Sequence, residues 1–261
     1  MKVYVLSRPS LDKGELKRFL DDQGVSWEST STVDGDVLCE VAGRVCYMSF
    51  ANPRPGGNRA YLEHIKECGH GSVLEHAVWT FLVTGVSRSL THELVRHRAG
   101  FSYSQLSQRY VFEKDGEFVE PDIIAGDEEL HSVWLACVEK AHGGYVRLAN
   151  LLEEKLANKD VSAKWLWRYH TVTDLRKVAL QAARSVLPNC TETKIVFSAN
   201  ARALRHFIEL RGSRDADWEM RKLANELLNI MQREAPNIFS DYIRVMLPDG
   251  TFEVDTEHKK V

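Results

Sequence analysis

From Glu128 to Leu156, apolar or small side chains recur at Leu130, Trp134, Cys137, Ala141, Tyr145, Leu148, Leu152 and Leu156. Steps of three and four residues describe one long helix with a narrow apolar stripe. A lone helix cannot bury such a stripe, so the fold must provide helix-on-helix packing, from this chain or from a second copy. Gly143-Gly144 weakens the middle of the helix and makes that packing partner more necessary.

The remaining pattern mixes short strands with helices. Met1 to Ser7 predicts a strand and Leu11 to Gln23 a first helix, while Pro and Gly make Asn52 to Asn58 a loop. Ala60 to Cys68 predicts a helix ended by Gly69, and Ala77 to Thr84 a central strand bounded by Gly85. Ser87 to Arg98 reads as a helix stopped by Ala99-Gly100, followed by a polar loop from Phe101 to Gln108. Asp174 to Val186 predicts a helix stopped at Leu187-Pro188, and Lys194 to Ala199 a strand. Asn200 caps a helix that runs to Arg211 and ends at Gly212. Asp217 to Glu234 is a further helix, and Ile243 to Val254 a hairpin around Pro248-Asp249-Gly250. Strands and helices do not alternate regularly, so the expected class is α+β, with a mixed or antiparallel sheet flanked by long helices. Residues 1–261 suit one domain with a well-buried core.

The chemistry concentrates at Arg96-His97-Arg98-Ala99-Gly100-Phe101-Ser102-Tyr103-Ser104-Gln105-Leu106-Ser107-Gln108-Arg109. These 14 residues hold three arginines, a histidine, three serines and two glutamines, with no acid among them. Solvated surfaces intersperse both signs, so the cluster points to an anion, most simply a phosphate. A basic helix end complementing the macrodipole is the plainer alternative. A net charge of −3 argues against a broad nucleic-acid footprint and favours one small anionic ligand. Arg211 falls on the same helical stripe as Leu204, Phe207 and Ile208, where a guanidinium needs an acid partner or a ligand. Arg202, Arg205 and His206 lie nearer the opposite side and suit a surface position. Arg184 ends its own helix, where a cation is often only a dipole partner.

Other site types are poorly supported. His92 and His97 are five residues apart, which places them about 140° apart on a helix and off any shared metal-binding face. His70 and His76 are also too loosely spaced, so no metal is expected. The five cysteines form no CxxC pair, and nothing beside Cys190 would hold it as a thiolate. Neither a leader-like segment nor a run of membrane-span length is visible, so the cytosol is the expected compartment.

Together these blocks resemble the flavin-dependent thymidylate synthases. Arg96-His97-Arg98 followed by Ser107-Gln108-Arg109 matches that family's signature. Residues 69–76, Thr91 to Val95, Arg184 to Asn189, and Asn200 to Phe207 with Arg211 follow in the family's order. The similarity covers roughly residues 38 to 245. Ala99-Gly100 makes the signature spacer one residue longer than the family's usual one. The resemblance implies an FAD enzyme that methylates dUMP at C5, with methylenetetrahydrofolate as carbon donor and NADPH as reductant. It also implies a homotetramer whose sites are shared between subunits, with no nucleic-acid or membrane partner. Carried over residue by residue, His70, Ser72, Arg96, His97, Arg98, Gln105, Asn200, Ala201, Arg202 and His206 face FAD. Glu93, Leu94, Val95, Arg96, Gln105, Leu106, Ser107, Gln108, Arg109, Arg184 and Arg211 face the nucleotide. Arg211, set against the uracil O2/N3 edge, would stabilise charge developing on the ring and act as the catalytic group. A UMP-methylating relative and a non-catalytic flavin or nucleotide binder stay open as alternatives.

Overall fold

The computed structural model describes residues 1–158, 169 and 171–261. In chain order, β1 (Lys2–Ser7) leads to α1 (Lys13–Asp22), α2 (Asp34–Tyr47) and α3 (Gly57–Glu67). A 3-10 turn at Gly71–His76 precedes β2 (Val78–Ser87), α4 (Arg88–Leu94) and β3 (Phe101–Gln105). Then come α5 (Asp122–Ala125), α6 (Glu128–Ala157), α7 (Val172–Ala183) and a turn at Arg184–Val186. The chain closes with β4 (Glu192–Asn200), α8 (Ala201–Arg211), α9 (Trp218–Glu234), α10 (Pro236–Phe239), β5 (Ile243–Met246) and β6 (Phe252–Asp255). Four strands form a sheet of order β1-β2-β4-β3, and β5 pairs antiparallel with β6, Ile243 opposite Asp255. The class is α+β.

The chain divides into two compact units. The first comprises Met1–Val83, Glu93–Ser104 and Val196–Val261. Its strand residues Trp79, Phe81, Phe197 and Ala199 are buried, and the Phe81 and Phe197 rings lie 5.2 Å apart. On α8 and α9, Leu204, Phe207, Ile208, Leu223, Leu227 and Leu228 have no exposed surface. Each such side chain contributes about 1.5–3 kcal/mol through its removal from water.

The second unit comprises Thr84–His92 and Gln105–Ile195. Here α6 packs on α7 through Tyr145, Ala149, Leu180 and Ala183, with Leu156, Val178 and Ala179 forming a further cluster. The alanines let the two helix backbones approach closely. Val138 and Ala149 join the buried stripe of α6, whereas Cys137 and Leu130 are exposed, contrary to the periodic reading.

Several expectations are corrected. The helix beginning near Ser87 ends at Leu94, because Arg96 and His97 donate their amides back three residues to Glu93 and Leu94 and tighten the chain into a turn. Phe101–Gln105 is a strand whose side chains alternate between more and less exposed positions, not a polar loop. Gly85 lies inside β2 with φ +66°, and its amide donates to the Glu192 carboxylate at 2.7 Å. Arg205 is not a surface residue: it is 1% exposed and forms a bidentate pair with Asp241 at 2.7 and 2.8 Å. Helix α2 escaped the periodic reading because its inward face carries Asp36, Glu40 and Arg44 at steps of four, all buried. Glu40 pairs with Arg44 and accepts from Ser29 and Asn58, which satisfies that polar stripe internally.

Candidate active site

In the first unit the site is built where the end of α4 meets the end of α8. Asn200 caps α8 by accepting the Ala203 amide at 2.8 Å, and the helix then carries Arg211 out at its C-terminal end. After α4 the chain turns, and the Tyr103 hydroxyl donates to the carbonyl groups of Leu94 and His97 at 2.8 and 2.7 Å. Gly100 closes the turn with φ +72°, and a Cβ there would lie 2.8 Å from both the Ala203 methyl and the Asn200 amide. Gly100 therefore sits in a tight turn that only glycine fits.

This geometry joins three of the expected residues. Arg211 Nη1 donates to Glu93 at 2.8 Å, and Arg211 Nε donates to His97 Nε2 at 3.0 Å. The Arg211 side chain is 20% exposed and makes no hydrogen bond from Nη2 among the described residues. Burial, then the Arg211 charge and His206, push His97 down to about 4. Its ring packs edge-on against Phe207 at 5.0 Å.

The expected flavin-facing residues of this unit form its exposed margin. His70 precedes the Gly71–His76 turn, and His70, Ser72, Arg96, Arg98, Arg202 and His206 are all exposed. Arg202 pairs with Glu75 at 2.7 Å. A Cβ at Gly71 would meet Arg202 Nε at 2.8 Å, so the backbone lies against that guanidinium. Ala201 and Leu94 have no exposed surface, backbone included, and Val95 is half-buried.

The second unit carries the anion-binding candidates. Gln105 is anchored by donating to Thr91 and Thr193 hydroxyls at 2.8 and 3.3 Å, and the Leu106 amide donates to Lys194. Ser107 opens a turn by accepting the Tyr110 and Val111 amides, while its hydroxyl accepts the Arg109 amide at 3.4 Å. Gln108 is buried, and Arg109 Nε is buried with no hydrogen-bond partner among the described residues. Arg184 sits half-buried in the turn after α7.

Arg88 was missed by the sequence reading. Its guanidinium lies 3.5 Å from the Leu106 carbonyl; burial and then Arg184 lower its pKa, against the pull of Glu113. A signal was available: Arg88 opens α4, where the helix dipole disfavours a cation. Burial pushes the Cys190 thiol up, away from a thiolate. Among the described residues Glu63, Glu257 and His258 bring three ligand atoms within 4.8 Å, but Lys66 already pairs with Glu63 at 2.9 Å.

Residues 29–237 match the family described as thymidylate synthase complementing protein. The chain is 50% identical over 229 residues to the flavin-dependent thymidylate synthase of Mycolicibacterium gilvum, covering 87% of each chain. It is 48% and 46% identical to those of Mycobacteroides abscessus and Mycobacterium leprae, covering 89% of each chain in both cases.

Proposed function

Because the chain belongs to the flavin-dependent thymidylate synthase family, we propose that it converts dUMP to dTMP, taking its one-carbon unit from methylenetetrahydrofolate and its reducing equivalents from NADPH. It is an FAD-dependent thymidylate synthase. The observation that carries the substrate assignment is Arg211, held by Glu93 and His97 with Nη2 unpartnered.

The donor set fits a flavin dinucleotide. Arg96, Arg98, Arg202, Ser72, His206 and the Asn200 carboxamide offer cations, a hydroxyl and amide groups suited to a pyrophosphate and a polar ring edge. Gly71 and Gly100, where a Cβ would collide with Arg202 and with Asn200 and Ala203, let those side chains lie against the backbone at this margin. His70, His97, Gln105 and Ala201 complete the set by resemblance. When bound, the flavin supplies hydride chemistry.

The chain's own residues bind and orient. Arg109 and Ser107, with Arg184 and the Gln105–Gln108 backbone, hold the nucleotide phosphate by charge-assisted bonds. Glu93, Leu94, Val95 and Arg96 shape the nucleoside side. The Arg211 guanidinium faces the pyrimidine carbonyl edge and stabilises negative charge there, which activates C5 without an enzyme thiolate.

The family match runs through both compact units, which supports one catalytic domain over residues 1–261. Exposed Leu130, Val133, Leu135 and Leu151 on α6 support assembly through that helix, and the family resemblance makes the assembly a homotetramer. No helix of the described residues is long and apolar enough to cross a membrane. We place the enzyme in the cytoplasm.

Purified protein should show oxidised-flavin bands near roughly 370 and 450 nm. It should also form dTMP from dUMP only with methylenetetrahydrofolate and NADPH present. Competition between dUMP and UMP reads the sugar preference, and turnover of UMP alone would overturn the dUMP assignment.

A further inference from the structure

Arg211 faces the pyrimidine in the proposed function, and the role inferred for His97 rests on that placement. Arg211 donates from Nε to His97 at 3.0 Å and from Nη1 to Glu93 at 2.8 Å. A guanidinium is planar, so two donors fixed on different nitrogens define its plane and leave Nη2 as the free end. One bond to Glu93, whose side chain is 38% exposed, would leave that plane free to rotate.

Accepting from Arg211 requires a bare Nε2, so the His97 imidazole is neutral with its proton on Nδ1. The low His97 pKa, about 4, agrees with that state near neutral pH. The groups facing the ring are Arg211, His206, Phe207 and Phe101, with ring centroids at 6.2, 5.0 and 6.0 Å for the last three. Its own carbonyl is tied to the Tyr103 hydroxyl. The imidazole is thus held at both its backbone and its ring.

We propose that His97 is a positioning residue for Arg211: its Nε2 sets the guanidinium plane and so aims the Nη2 end at the pyrimidine. This is separate from the flavin contact that resemblance assigns to the same residue.

The test is a double-mutant cycle on the flavin-loaded enzyme, with flavin occupancy read from its absorbance. His97→Phe keeps a ring against Phe207 but removes the acceptor. It should lower kcat about 10- to 100-fold, the scale of an ångström's misplacement, with flavin retained. His97→Gln restores an acceptor and should stay within about five-fold of wild type. Arg211→Lys already lacks the Nε–H, so adding His97→Phe to it should cost nothing further. Losses that multiply in the double variant, losses that track flavin occupancy, or wild-type turnover in His97→Phe would each overturn the proposal.

Should His97→Phe fail to fold, NMR of the wild-type holoenzyme decides. Arg211 should show a slowly exchanging Nε–H, assigned by its disappearance in Arg211→Lys, that shifts in His97→Gln. A fast-exchanging Arg211 Nε–H would overturn the proposal. A wild-type enzyme that neither binds nor consumes dUMP would instead overturn the functional reading, and the NMR result would still stand.

Discussion

Arg211 and Arg109 occupy different compact units and are held in different ways. Arg211 commits two donors to Glu93 and His97, whereas Arg109 has its Nε buried with no hydrogen-bond partner among the described residues. In the same unit as Arg109, burial and then the Arg184 charge lower the Arg88 pKa, with Glu113 opposing. An unpaired buried donor costs about 1–3 kcal/mol until something accepts from it. The first group is therefore fixed before any ligand arrives, and the second keeps an unmet donor, which in the proposed function an anion satisfies. Preorganised charge lowers a barrier, while an unmet donor strengthens binding.

The strongest way to break that contrast is Arg211→Lys. Charge is kept and the planar fork is lost, so turnover should fall about 10²-fold or more while FAD stays bound. Steady-state rates beside flavin absorbance check it, and near-normal turnover would remove Arg211 from the chemistry.

Arg109→Ala should act on affinity instead. Binding of dUMP should weaken by about 1.5–3 kcal/mol, with little change in kcat. Deoxyuridine, which lacks the phosphate, should bind wild type and variant equally poorly in calorimetry. A variant that still strongly prefers dUMP would show that another group holds the phosphate.

A pH series sharpens how the first unit tolerates its buried groups. Burial raises Asp36 to about 6, above its ordinary 3.8, despite amides from Asn237 and Ile238. The folded state thus binds that proton first, so Asp36 adds stability as pH falls from about 6 to 3.8 and loses it as pH rises. His97 has the opposite sign: held near 4 against 6.5, it removes stability as pH falls between those values. Asp36→Asn should stabilise the protein above pH 6 by about 1–2 kcal/mol and leave a steeper acid-side loss, measured by urea unfolding from pH 4 to 8. An unchanged profile would mean that Asp36 is better solvated than its zero exposure implies.

The smallest effect is expected at Cys190. With its thiol pKa raised by burial, Cys190→Ala should stay within a few-fold of wild-type activity. Turnover with 5-fluoro-dUMP should yield no cysteine-linked nucleotide by mass spectrometry. An inactive variant together with such an adduct would replace the Arg211 route with a thiolate one.

Most of the frame was legible along the chain. Asn200 and Asp217 announce their helices because a cap is a local bond between a side chain and amides two or three residues on. The hairpin at Pro248-Asp249-Gly250 and the stripe of α6 are equally local. Helix α2 was not legible, since Asp36, Glu40 and Arg44 read as a solvated face and are buried only because Asn58, Ser29 and Asn237 meet them. Arg205 misled for the same reason, its partner Asp241 lying 36 residues away.

By itself, the sequence determined where charge would need answering: an acid-free run from Arg96 to Arg109, suited to an anion or to a helix end, and a guanidinium on an apolar stripe that needs an acid partner or a ligand. Only the tertiary structure decided which guanidinium is aimed and which is left wanting a partner. That choice depends on Glu93 and His97 meeting Arg211 across more than a hundred residues, and on burial that strips Arg109 Nε of water without supplying an acceptor. Periodicity reports which face a residue takes, and folding alone reports what waits on the other side.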